Sequence, residues 1–144
     1  MDRRAFSLPE LVVVTALVAL VTAVGVPALL HVVDRRLVDS ATQQLVLAHR
    51  EARITSATTR QTALLLMSAD LLELRLTRGG PDTVLAWSRP GPRHYGVAVT
   101  GNPRTARFIP SGYTIGVSNA SYTFTRGAAT RKVVISRLGR VRVE

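Results

Sequence analysis

From Leu11 to Leu30 the chain carries no charged side chain, and Thr15 and Thr22 are the only hydroxyl-bearing residues in that run. Twenty helical residues rise about 30 Å, the hydrocarbon thickness of a bilayer. The run is therefore a membrane-spanning helix or a segment that begins as one. Its informative neighbour is Glu10, an acid at the very edge of the apolar stretch.

Three readings of this start compete. In the first, Ser7-Leu8-Pro9-Glu10 is a capping box, with Ser7 as N-cap and Glu10 reaching back to its N–H. Pro9 then falls in the first turn, where a missing N–H is harmless. This accounts for the spacing but not for an acid beside lipid. In the second, Arg3 and Arg4 open a secretory signal peptide cleaved near Ala23. The apolar run is longer than a usual signal core, and Glu10 interrupts its start. In the third, the carboxylate is functional, because an acid entering a membrane needs a partner.

The third reading has a precedent. Arg4-Ala5-Phe6-Ser7-Leu8-Pro9-Glu10-Leu11-Val12-Val13-Val14 resembles the class III leader of type IV pilins and type II secretion pseudopilins. In that family a prepilin peptidase cuts just before the Phe, on the cytoplasmic side. The resemblance implies cleavage between Ala5 and Phe6, with Phe6 the new, usually N-methylated, N-terminus. Glu10 then matches the Glu at the fifth mature position, which pairs with the N-terminal amine of a neighbouring subunit. The residue before the cut is usually Gly, and here it is Ala5.

With residues 1–33 given to leader and membrane, the 144-residue chain has room for one soluble domain with a modest core. It has no cysteine, which excludes a disulfide framework, Cys-based zinc sites and thiol nucleophiles. Many pilins carry a C-terminal disulfide, and this chain departs from them there. Residues 28–78 contain neither Gly nor Pro, whereas nine of the ten Gly lie from Gly79 onward. A long regular stretch is thus followed by a turn-rich β region.

The helix is expected to pass Gly25 and Pro27 and continue to about Thr59. Pro27 leaves the carbonyl of Ala23 without its donor. It is either tolerated, as in many membrane helices, or marks local melting. In pilins a Pro near this place is where the helix unwinds on assembly, so the resemblance gives Pro27 an assembly role. Beyond it, Val33, Leu37, Ala41, Leu45, Ala48 and Ala52 recur every three or four residues and predict an amphipathic arm. Gln61–Ser68 reads as helix end or buried strand. Alternation then predicts strands over Leu72–Thr77, Thr83–Ser88, Tyr95–Thr100, Tyr113–Val117, Ser121–Thr125, Arg131–Arg137 and Arg140–Val143. The expected fold is α+β, one long N-terminal helix packed on an antiparallel sheet. Its segments are a leader at 1–5, a transmembrane and filament-core helix at 6–33, an amphipathic helix at 34–60 and a β-sheet domain at 61–144.

Charge is uneven. Residues 1–74 hold seven basic and seven acidic residues; residues 75–144 hold twelve basic residues against Asp82 and Glu144. The whole net charge of +10 thus lies in the second half of the sequence, which points to a polyanionic partner. Arg140 and Arg142 are two apart on an extended segment and point to one side, with Val141 and Val143 toward the core. Arg131, Lys132 and Arg137, with Arg126, belong to the preceding hairpin and extend the patch. The guanidinium fork suits phosphate. The competing reading is that alternating Arg guards an edge strand against sheet-to-sheet pairing. No aromatic platform is present, so DNA contact would be to backbone rather than bases.

The resemblance extends along the chain. The long helix, Ala57–Leu66, Phe108-Ile109-Pro110-Ser111-Gly112, Lys132-Val133-Val134-Ile135-Ser136 and Gly139-Arg140-Val141 together look like the GspH/FimT-type pseudopilins. Such subunits are minor components that initiate or cap a pseudopilus or type IV pilus. Some FimT-type members bind DNA through a Gly-Arg-x-Arg motif, matched here by Gly139-Arg140-Val141-Arg142.

Nothing in the chain reads as an enzyme. His31, His49 and His94 show no metal-pair spacing, and there is no Gly-x-Ser-x-Gly or phosphate loop. Trp87 and Tyr95 read as core or interface side chains. The expectation is a minor pilin or pseudopilin without a cofactor, spanning the inner membrane once with its N-terminus cytoplasmic. Its expected partners are prepilin peptidase and sister subunits of a secretion or pilus machine. The alternative adds double-stranded DNA, taken up in natural transformation. A plain anchored basic protein that never polymerises is a third reading.

Overall fold

The computed structural model describes residues 7–101, 105–115, 119–136 and 138–144. The chain divides into two compact units between Val33 and Asp34. A single α-helix, α1, runs Leu8–Thr59 with Pro27 inside it. It ends without a glycine: Arg60 takes the left-handed conformation at φ 55° and releases the chain into the first strand.

Residues 34–144 are α+β. Nine strands follow the helix: β1 (Thr62–Met67), β2 (Leu71–Thr77), β3 (Val84–Pro90), β4 (Ala98–Gly101), β5 (Ala106–Phe108), β6 (Thr114–Ile115), β7 (Ala120–Arg126), β8 (Ala129–Ile135) and β9 (Val141–Val143). The expected single sheet is in fact two, both antiparallel. One has the order β3-β2-β1-β5-β6, the other β4-β7-β8-β9. The ambiguous run after the helix is strand β1, with Ala63 and Leu65 buried and paired to Leu76 and Leu74.

Two strand expectations are corrected. The stretch from Tyr95 is not extended: Pro92–Tyr95 forms a short 3-10 turn, and only Ala98–Gly101 is strand. Pro92 sets the entry, and Gly96, at φ 65°, closes the turn by donating its N–H to the Arg93 carbonyl at 2.8 Å. A side chain on Gly96 would also collide with the Arg126 guanidinium. The third strand runs on through Arg89 and Pro90, past its expected end at Ser88. As an edge strand, it tolerates a proline.

One core serves both sheets. Val38, Ala41, Leu45, Ala48 and Ala52 of α1 cluster with Leu65, Leu74 and Phe108 of one sheet and Phe124, Val133 and Ile135 of the other. Four of the expected helix positions are right. Val33 is instead exposed and Leu37 half-buried, because the stripe runs through Val38 and begins with Asp34. Asp34 accepts from Arg126 Nε at 2.8 Å, and the same guanidinium donates to the Tyr95 carbonyl. Asp39 accepts from Arg131 Nε at 2.8 Å. Glu51 binds Arg89 through both carboxylate oxygens, at 2.9 and 3.2 Å, while Arg89 lies 4.2 Å over the Trp87 ring.

His49 is the unusual core residue. It is 2% exposed, meets Phe108 edge-on at 4.8 Å, and its Nε2 has no hydrogen-bond partner among the described residues. Burial, reinforced by the Arg53 guanidinium, pushes its imidazole down from 6.5 to about 4. Between those values the unfolded chain takes up a proton that the folded chain refuses. Stability should therefore fall by about 3 kcal/mol as pH drops through that window. Denaturation of the full chain in detergent, followed by fluorescence of its one tryptophan, checks this. His49→Leu should remove most of the loss between pH 7 and pH 4.

Candidate functional site

Two regions hold the residues singled out in the sequence. At the N-terminus, Ser7 occupies the N-cap position, and its carbonyl accepts from the N–H groups of Glu10 (3.0 Å) and Leu11 (3.2 Å). The side-chain bonds of a capping box are absent among the described residues. Glu10 is exposed, with no ion-pair partner there. Ala5 and Phe6 lie outside the described residues.

The apolar run beyond Glu10 meets the needs of lipid. Thr15 donates to the carbonyls of Leu11 and Val12, both at 3.0 Å, and Thr22 to those of Val18 (2.9 Å) and Ala19 (3.0 Å). Each hydroxyl is thereby satisfied within the helix. α1 is long and apolar enough to cross a membrane, and none of its most apolar window is buried in the protein.

At the C-terminus, β8 and β9 form a hairpin whose ladder pairs Val134 with Arg142 and Ile135 with Val141. The pairing continues through reciprocal Lys132–Glu144 backbone bonds (2.9 and 2.8 Å) and a Ser136–Arg140 bond (2.9 Å). Directly opposed residues share a face. Lys132, Arg140 and Arg142 therefore lie on one outward face, with Glu144 opposite Lys132. All three cations are exposed.

Arg131 is not part of that face. It is one residue from Lys132 and so points the other way, into its ion pair with Asp39. Arg126 is likewise committed to Asp34. Arg137 lies outside the described residues. Val141 packs against the core, but Val143, on the edge strand, is 47% exposed rather than buried.

Gly139 makes the turn. It sits at φ 73° and donates its N–H to the Ser136 carbonyl at 2.9 Å. A Cβ there would stand 3.1 Å from Thr114 Cγ2 and 3.8 Å from His49 Cε1, so the hairpin tip rests on both β6 and α1. The Gly-Arg-x-Arg spacing thus has a structural cause in its first residue, separate from any ligand.

Sequence reading missed the ion pairs. All five among the described residues join an acid of the first half to an arginine of the second: Asp34–Arg126, Asp39–Arg131, Glu51–Arg89, Asp70–Arg93 and Glu73–Arg75. The excess charge is therefore not confined to the second half. Arg35, Arg36, Arg50 and Arg53 stand exposed on α1, as do Arg107 on β5 and Lys132, Arg140 and Arg142 on the C-terminal hairpin. No cluster of three His, Cys, Asp or Glu residues suited to a metal occurs among the described residues.

One long N-terminal helix packed on two antiparallel sheets defines a pilin-type fold. Crystal structures of the type IV minor pilin FimU from Pseudomonas aeruginosa strain PAO1, in two crystal forms, share it. The first matches 76% of this chain and 90% of that one, with a TM-score of 0.63 and 16% identity. The second matches 74% and 91%, with a TM-score of 0.58 and 15% identity. No family model and no curated protein matches the chain.

Gly139→Ala tests the turn. The left-handed backbone and the contact with Thr114 together should cost about 1–2 kcal/mol, read as a lower melting temperature. Adding Thr114→Ser, which removes the crowded methyl, should recover only the steric part.

Proposed function

We propose that the chain is a minor pilin or pseudopilin subunit. Prepilin peptidase removes residues 1–5 between Ala5 and Phe6. The apolar part of α1 holds the subunit in the inner membrane, with residues 34–144 on the extracytoplasmic side. Assembly draws the helix into a filament of sister subunits, where Glu10 pairs with a neighbour's N-terminal amine and Pro27 is the place for the helix to yield.

The observation that carries this reading is α1 itself. A charge-free helical run, satisfied in its own hydroxyls, starts at an acid with no ion-pair partner among the described residues and leads into a domain with the fold of FimU. An acid of this kind has a function outside its own subunit or is a burden to it. In cells producing the filament, Glu10→Ala should leave the amount in the membrane unchanged but strip the subunit from sheared filaments. Mass spectrometry should find the mature chain beginning at Phe6. Normal incorporation of Glu10→Ala, or an intact Ala5–Phe6 bond where the peptidase is active, sinks the reading.

The outward alignment of Lys132, Arg140 and Arg142 supports a second reading, contact with duplex DNA during uptake. Binding of labelled duplex by the full chain in detergent should weaken steeply with salt. Arg140→Ala with Arg142→Ala should lower the log–log salt slope by about 2, the share of two phosphate contacts. Arg50→Ala with Arg53→Ala serves as the control for charge alone. A full chain that fails to bind at low salt leaves the plain assembly subunit.

A further inference from the structure

The outward face of the five-stranded sheet carries an arrangement that neither membrane anchoring nor the C-terminal hairpin uses. The ladders align Leu85, Arg75, Leu64, Arg107 and Ile115 in one row across β3, β2, β1, β5 and β6. Their chain neighbours Ala63, Leu65, Leu74 and Phe108 are buried in the core, so the row faces away from it. Leu66 lies two residues from Leu64 on the same face. An open cavity of about 730 Å³ stands over this surface, lined by Leu64, Leu66 and Ile115 together with Arg75, Arg107 and two threonines. That volume is in the range of binding pockets.

The two arginines differ. Arg75 Nε sits 3.2 Å from a Glu73 carboxylate oxygen and is neutralised. Arg107 is exposed and has no carboxylate within ion-pair distance among the described residues. The face therefore offers an aliphatic surface with one uncompensated guanidinium in it. A nucleic-acid backbone is a poor match, because aliphatic side chains alternate with the cations and would be covered by phosphate and water. A protein segment is a good one: an apolar side chain is drawn from water onto the leucines, and a single carboxylate accepts the Arg107 fork.

We infer that this face docks a segment of another protein subunit that presents an aliphatic or aromatic side chain beside an Asp or Glu. The inference rests on the reading of the chain as a subunit of a multi-protein filament. It adds to that reading the surface and the chemistry of the partner segment.

The test uses the full chain in cells producing the filament, with the photo-crosslinking residue p-benzoylphenylalanine placed at Ile115 or, separately, at the exposed Ile54 of α1. Ile115 should crosslink to a co-assembled subunit at a site within two residues of an Asp or Glu. Arg107→Glu and Arg107→Gln should each reduce that adduct about tenfold, the effect of losing one charge-assisted pair. Changing the mapped acid to Arg should restore it in the Arg107→Glu background, while the Ile54 adduct stays constant. Three results overturn the inference: no adduct at Ile115, an adduct to nucleic acid alone, or a protein adduct indifferent to Arg107. Adducts at Ile54 alone would leave the subunit reading standing without this docking face. Absence of adducts at both positions would remove both.

Discussion

Burial of one face of α1, from Val38 through Ala41, Leu45 and Ala48 to Ala52, is the contact on which both sheets depend. Each sheet has an apolar side, and the helix supplies the surface that the two share. The three alanines are at most 1% exposed, so strands and helix backbone approach closely there, and a larger residue would displace a strand. The sizes of the forces are unequal. A fully buried Leu or Val contributes about 1.5–3 kcal/mol. The half-exposed ion pairs of Asp34 and Asp39 contribute about 0–1 kcal/mol each. The apolar face thus supplies the stability, and the ion pairs decide how the helix is seated. Shifting the helix by one residue would rotate the alanines off the sheets and carry both acids away from Arg126 and Arg131.

That division explains what could be read from the sequence. Ala41, Leu45, Ala48 and Ala52 follow from helical spacing alone. Val38 does not, because Leu37 fits the same spacing and has the larger side chain. Alternation identifies most strands but reports only that one face is buried, not which sheet a strand joins. The division into two sheets was therefore illegible, the more so because β5 and β6 are three and two residues long. At the candidate sites, Glu10 and the Arg140–Arg142 spacing are local patterns and were visible. The roles of Arg131 and Lys132 were not separable, since adjacent strand residues face opposite ways and only the distant Asp39 shows which turns inward. The row through Arg107 is made entirely by strand register and leaves no trace in the sequence.

The ion pairs also change what the charge asymmetry means. A basic second half looks like a ready-made polyanion site, yet five of its arginines serve to hold acids of the first half. What remains is a set of exposed cations on the helix, on β5 and on the C-terminal hairpin, with few carboxylates between them. In the proposed filament this bears on composition. Copies of one chain that met through these surfaces would set like charges against each other, and salt screens such charges only beyond about 8 Å. Such juxtaposition is costly, whereas a neighbour with an acidic face is favoured at every one of these surfaces. On the proposed reading, a chain with these charges would be suited to standing among different subunits rather than repeating along a filament of itself. In the proposed assembly, Glu10 would meet a neighbour's N-terminal amine, a charge complementary to it.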